Sequence, residues 1–275
     1  MSNRDNRYRL TMWLTESQRI AMWHTLSDIL PLYLIPEYPK SGGSWFGQML
    51  SDYLEVPFPR NEAPPLRSCV MHGHHLHSSH FSNVFCILRD GRDVMVSAYY
   101  HFLFHHDRNP PKSVAHYRER VPFDDYDNVR KNLPAFIDYM FNVEGQRWNR
   151  FTWDAFAESY LGKDGVAIVR YEDMLDDAAR EVGRAIKEVL GESPDMERLK
   201  AIEEKYSFEN QTGRSRGEQG KSFLRKGIAG DWKNHFSREA CETFDELAGD
   251  WLIELGYENN RKWIEEQEYR MSNER

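Results

Sequence analysis

The sequence predicts an α/β fold with a central parallel sheet covered by helices on both faces. Three short apolar runs carry that expectation: LYLIPEYP at 32–39, NVFCILRD at 83–90 and GVAIVRYE at 165–172. Each has the length, the β-branched or aromatic content and the polar exit of a buried parallel strand. SCVMH at 68–72 is a weaker fourth. Helical periodicity fills the intervals, at 44–54, 92–105, 133–160 in two pieces, 173–190, 195–205 and 237–255.

Pro36 lies inside the first run, so that strand is expected to start or bulge there. The run ends in Tyr38-Pro39-Lys40-Ser41-Gly42-Gly43-Ser44-Trp45, and a helix follows at once. Adjacent glycines permit tight curvature, and the N–H groups at a helix start form an anion cradle. Lys40 adds a point charge, and Ser41 and Ser44 add hydroxyl donors. Strand, turn and helix make a P-loop-like arrangement, yet the Walker pattern places its Lys after the second Gly, which KSGGS does not. On its own the segment also reads as an ordinary βα turn hinged on Gly42 and Gly43.

The next strand exit repeats the logic. Leu88-Arg89-Asp90-Gly91-Arg92-Asp93 leads into a helix that carries Ser97 two turns in. A guanidinium and a hydroxyl placed so suit a second phosphate, while a salt-bridged turn with a capped helix accounts for them equally well. Residues 106–132 are polar, proline-punctuated and without clear period, which predicts a long loop. The aromatic-rich block from Phe136 through Tyr139, Phe141, Trp148, Phe151 and Trp153 to Phe156 reads as helix core first and as a pocket wall second.

The 275 residues carry 36 Lys+Arg against 44 Asp+Glu, a formal charge of −8 and a pI of about 5.8. That balance argues against coating nucleic acid or an anionic membrane. The charge is uneven. Residues 210–235 hold six basic and two acidic groups, between flanks at 172–209 and 236–275 that are each net −6. Within this island lies Phe223-Leu224-Arg225-Lys226-Gly227-Ile228-Ala229-Gly230-Asp231-Trp232-Lys233-Asn234, which by itself reads as a solvated charged face. No repeat or low-complexity tract divides the chain. One domain over 1–275 is expected, with its core at about 32–255 and mobile ends at 1–15 and 262–275. No run approaches the ~20 apolar residues of a membrane span, and no secretory pattern opens the chain. Three cysteines without metal spacing fit a reduced, cytoplasmic protein.

Taken in order, YPKSGGSW, LRDGRDVMVSAYYHF and FLRKGIAGDWKNHF, with YEDM at 171–174 after a strand, closely resemble the sulfotransferase family of the cytosolic type. The resemblance covers about 35–235. The first motif departs from the common PKSGTTW at Gly43 and Ser44, which keep small residues at the turn and a hydroxyl. It implies a three-layer P-loop-like fold with a central parallel sheet. It also implies in-line transfer of a sulfuryl group from 3′-phosphoadenosine 5′-phosphosulfate (PAPS) to a hydroxyl or amine of a small-molecule or glycan acceptor. The product would be adenosine 3′,5′-bisphosphate (PAP), with no metal required.

Residue by residue, the resemblance makes Lys40, Ser41, Gly42, Gly43 and Ser44 the 5′-phosphosulfate loop. It sets Trp45 and Phe208 on opposite faces of the adenine and Tyr171 against the base. Arg89, Ser97, Arg225, Lys226 and Gly227 take the 3′-phosphate, and Lys40 is the cation at the bridging oxygen. The family's base is a histidine in a Lys-Thr-His stretch. Here the run is Val70-Met71-His72-Gly73-His74-His75, and alignment places His74 on the base, with His72 and His75 as alternatives. His72 stands where the family has lysine.

Eight of the 11 histidines fall between 72 and 106, yet no HExxH or Cys–His spacing accompanies them, so no metal site is expected. His77, His80, His105 and His106 are expected at the surface or in the acceptor pocket. Two other readings stand beside transfer: a PAPS- or PAP-binding module without catalysis, and a nucleotide kinase on the same scaffold, which would need the missing Walker lysine. The resemblance places 106–132 on the acceptor side.

Overall fold

Leu32–Pro36 (β1), Cys69–Gly73 (β2), Val84–Leu88 (β3) and Val166–Arg170 (β4) form one parallel sheet in the order β2-β1-β3-β4. The computed structural model describes residues 17–273 apart from Ile20, Asp28, Asn61, Trp148, Asn149 and Lys221. All four apolar runs are therefore strands, and the weakest by pattern, β2, is buried along its whole length. Pro36 neither starts nor bulges β1. It is the last residue of the strand, paired with Gly73, where a missing N–H costs the ladder least.

The chain divides into two compact units, one of residues 1–88 and 159–211, the other of 89–158 and 212–275. The first holds the sheet. Gly43–Leu54 (α1), Tyr171–Leu190 (α6) and Met196–Lys205 (α7) cover one face through Phe46, Met49, Leu50, Met174, Val182, Ile186 and Leu199. These side chains pack on Ile35, Val70, Phe85, Ile87, Ala167 and Val169, and the spacing of two from Phe85 to Ile87 and from Ala167 to Val169 is the signature of one sheet face. Asp177 breaks the helical path of α6 at φ −158° and caps the second piece by accepting the N–H of Arg180 at 2.9 Å.

The second unit is helical: Gly91–Leu103 (α2), Pro111–Arg120 (α3), Val129–Asp138 (α4), most of Trp153–Tyr160 (α5), Arg238–Glu254 (α9) and Trp263–Asn273 (α10). Phe208–Thr212 (α8) spans residues 211 and 212, where the chain passes from the first unit to the second. The structure differs from expectation at 106–132, where α3 and the start of α4 replace a continuous loop. Pro110 and Pro111 at its N-terminus are helix-starting prolines, not loop punctuation. At the C-terminal end the buried Trp263 of α10 lies edge-on to Trp232, and Gln267 donates to Lys233 O at 2.7 Å. Residues 1–15 lie outside the described residues.

Most of the aromatic block is core. Phe136, Tyr139, Phe141, Trp153 and Phe156 are all buried, and Trp153 and Phe141 meet Phe244 of α9 at 5.8 Å between centroids. Trp148 lies outside the described residues. Arg92 is buried with them, its guanidinium 3.8 Å from the Trp232 ring centre and paired to Asp90 and Glu258. A buried cation survives only with such complete pairing.

Candidate active site

The loop after β1 is built on unusual backbone. Lys40 sits at φ +79° and Gly42 at φ +104° as the cap residue before α1. The left-handed region is costly for lysine, and such strain concentrates at binding sites. Gly42 is required twice over, because a Cβ there would lie 2.6 Å from Cδ2 of Tyr171. Ser41 is fully buried, and its Oγ has no hydrogen-bond partner among the described residues. A buried orphan hydroxyl beside a helix start and a lysine fits an anion.

Not every amide of the loop is turned outward. Ser41 N–H donates to Tyr38 O at 3.2 Å, and Gly43 N–H donates to Oε2 of Glu37 at 2.6 Å. Ser44 Oγ accepts from Nη2 of Arg60 at 2.8 Å, so the loop gains a guanidinium that no motif announced. Trp45 is half-buried and edge-on to Tyr171, with centroids 6.2 Å apart. Phe208, buried at the start of α8, belongs to the same unit.

Glu37 is the residue that sequence reasoning missed. It leaves β1 between its neighbours, with its own N–H on Gly73 O at 3.1 Å. Its Oε1 lies 2.6 Å from Nε2 of His72, and its backbone carbonyl 2.9 Å from Nδ1 of His74. Burial opposes its ionisation, but His72, His74 and the Gly43 amide outweigh burial and hold the pKa at about 2. The sequence signal was only a carboxylate within the polar exit of a strand.

His74 keeps an exposed edge while protein crowds the rest of its ring. Crowding first, then the neighbouring His72, lowers its pKa from 6.5 to about 4. A carbonyl can only accept, so Nδ1 carries the ring proton, and Nε2 is left as the basic nitrogen. His72 is buried and pairs with Glu37. His75 lies against the Gly73 backbone, its Nε2 in the space that a Cβ there would occupy.

In the second unit, Asp90 caps α2 by accepting the N–H of Arg92 at 2.9 Å. Asp93 accepts the N–H groups of Gly230 at 2.6 Å and Trp232 at 2.8 Å, and Nη2 of Arg89 lies 3.7 Å from its Oδ2. Arg89 Nη2 also donates to Ile228 O at 3.2 Å. Arg225 and Lys226 both reach Asp231, at 2.7 and 2.8 Å, and Asn234 and His235 complete its surroundings. Arg225 Nη1 is buried without a hydrogen-bond partner among the described residues. Gly227 at φ +64° and Gly230 at φ +75° turn the segment. Ser97 is half-buried in α2.

Within the basic island Arg225 and Lys226 are half-buried and paired, while Arg216 and Lys233 are exposed. The structure brings Arg89, Arg225, Lys226 and Gly227 onto one knot of chain, and Lys40–Trp45, His74, Tyr171 and Phe208 into the other unit. His80 and His105 are exposed and His77 half-exposed. His106 instead pairs with His101, Nε2 to Nδ1, at 2.8 Å.

A family model described as a sulfotransferase domain matches residues 60–256, well over half of the chain. The protein belongs to the sulfotransferase family. Among curated relatives, sulfotransferase 6B1 of Danio rerio is 25% identical over 244 residues, spanning 78% of this chain and 76% of the relative. Sulfotransferase 1E1 of Rattus norvegicus is 26% identical over 263 residues, spanning 78% and 80%. The solved structure of mouse sulfotransferase SULT7A1 complexed with PAP covers 89% of this chain and 92% of its own, at TM-score 0.58 and 17% identity. Retinol dehydratase in a complex with retinol and PAP covers 82% of each chain at TM-score 0.53 and 16% identity. These likenesses agree on the fold, a parallel sheet flanked by helices. As a sulfotransferase the chain is an enzyme of sulfuryl transfer, and no helix among the described residues is long and apolar enough to cross a membrane.

Proposed function

We propose that this sulfotransferase moves the sulfuryl group of PAPS to a hydroxyl or amine of a small-molecule or glycan acceptor and releases PAP, with His74 as general base. The observation that carries the assignment is the bond from His74 Nδ1 to the Glu37 carbonyl, which leaves Nε2 unprotonated and accepting. PAP in the two structural neighbours supports the donor. In this chain the orphaned Ser41 Oγ and Arg225 Nη1 are the buried donors that such an anion would satisfy.

The chain's groups take separate tasks. Lys40 places its charge where negative charge develops on the bridging oxygen of the leaving phosphate. Ser41, Gly42, Gly43 and Ser44 form the loop at the 5′ end, Arg60 adding charge through Ser44. Gly43's own amide is committed to Glu37, so its part is to leave room for that carboxylate, whose Cδ would meet a Cβ at 2.9 Å. Trp45, Tyr171 and Phe208 supply aromatic surface for the adenine, and Arg89, Ser97, Arg225, Lys226 and Gly227 take the 3′-phosphate. His74 Nε2 accepts the acceptor's proton as the nucleophile attacks sulfur. The cytoplasm is the proposed compartment, in keeping with three buried, unpaired cysteines.

The test is His74→Ala. Transfer should fall by the ~10²–10⁴-fold that a positioned base contributes, while PAP still raises the melting temperature without Mg²⁺. A fully active variant moves the base elsewhere, and equal stabilisation by ATP and PAP overturns the donor assignment.

A further inference from the structure

One carboxylate and two imidazoles converge at the β1 exit. Ligating atoms of Glu37, His72 and His74 all lie within 4.8 Å of one another. His72 is fixed by the ladder that pairs it with Ile35, and Glu37 follows directly on β1, bridged to Ile87 with its N–H on Gly73 O at 3.1 Å. The His72 and His74 rings meet edge to face with centroids 5.0 Å apart.

We propose that Glu37, His72 and His74 form an inhibitory site for a borderline divalent cation of the Zn²⁺ type. Two imidazoles with one carboxylate are a donor set that Zn²⁺ takes with solvent in its remaining position. Gly43 N–H holds Oε2 of Glu37 and leaves Oε1 toward His72, the outer hydrogen bond that orients a ligating carboxylate. The exposed edge of His74 supplies the way in.

Ligand atoms around a tetrahedral Zn²⁺ stand ~3.4 Å apart, so the 2.6 Å contact between His72 and Glu37 opens on binding. As the cation enters, Nε2 of His72 gives up its proton and the ring ligates as the neutral imidazole with its proton on Nδ1. Inhibition rests on the reading of His74 as base. Ligation at Nε2 uses the lone pair that would accept the acceptor's proton. Ligation at Nδ1 removes its proton and its carbonyl bond, and so ends the arrangement that keeps Nε2 as the accepting nitrogen.

The experiment titrates metal-free full-length protein with Zn²⁺ alone, by calorimetry, in wild type, His72→Ala and His106→Ala. The last variant reports on the rival His101–His106 pair. One cation per chain is expected. His72→Ala should weaken it by more than the ~100-fold typical of losing an outer-shell partner, and His106→Ala should leave it unchanged. Sulfuryl transfer should fall with the same midpoint and return with chelator. Absence of stoichiometric binding, or loss of binding in His106→Ala instead, overturns the site. Binding at this site with undiminished transfer overturns the inhibitory role and the base assignment while the site stands. Should His72→Ala fail to fold, carbethoxylation mapping of wild type decides: Zn²⁺ is expected to protect His74, and equal labelling with and without Zn²⁺ overturns the proposal.

Discussion

Asp93 Oδ1 accepts the backbone N–H of Trp232 at 2.8 Å, tying the first turn of α2 to a segment 139 residues further along the chain. Its other oxygen takes the N–H of Gly230. One side chain thus sets where Arg225–Asn234 runs beside Arg89. Asp93→Ala should destabilise the protein by about 3 kcal/mol, since two charged hydrogen bonds are lost and two N–H groups are left buried. PAP affinity should fall with it. Urea denaturation and nucleotide titration check both, and a variant as stable as wild type would show that the segment is held by other means.

Lys226→Ala should weaken PAP binding roughly 10- to 100-fold, the effect of losing one hydrogen bond to a charged group. The fold should survive, because Arg225, Asn234 and His235 still surround Asp231. Unchanged affinity for PAP removes Lys226 from the 3′-phosphate assignment.

Gly42→Ala should abolish donor binding. The backbone at φ +104° disfavours any Cβ, and this one would collide with Tyr171. The strain is worth about 1–3 kcal/mol, so the melting temperature should also drop. Tyr171→Ala made alongside relieves the collision but not the dihedral and removes aromatic surface at the adenine, so it should recover part of the melting temperature and not donor binding.

Acid should act on rate and stability separately. With the His74 pKa lowered to about 4, the acidic limb of the transfer rate should lie near pH 4, well below the usual histidine range. A limb near pH 6.5 would place the base on another histidine. Glu37, held at about 2 against 4.5 unfolded, contributes stability that is present above pH 4.5 and is lost as pH falls toward 2, roughly 3 kcal/mol in all. Asp231 acts in the same sense: burial opposes its charge, but His235, Lys226 and Arg225 prevail and hold it below the ordinary carboxylate range. Urea midpoints measured between pH 6 and pH 3 should fall accordingly, and Glu37→Gln should flatten the slope.

The four strands and the tight turn into α1 were legible because parallel strands buried on both faces are written as short apolar runs, and a turn at a helix start is written in glycine. The helix α3 was not. Its sequence PKSVAHYRER buries Val114 alone, so no apolar stripe announces it, and its stability comes from Pro111 and from packing. Likewise Arg60 and Glu37 act on the loop from positions without a motif. Arg60 reaches Ser44 from 16 residues away, and Glu37 became meaningful only once the ladder set it beside His72. Contacts made by tertiary folding leave no local spacing to read.

Neither compact unit is a continuous stretch of chain. Residues 89–158 are inserted between β3 and β4, and the second unit closes only with residues 212–275. During synthesis, then, the sheet must wait with an open edge at β3 until residue 170 has emerged, while the inserted helices wait longer still for α9. Fragments cut at either boundary would each lack part of a core. For that reason the nascent chain depends on long-range closure, the slow step in folding of this kind.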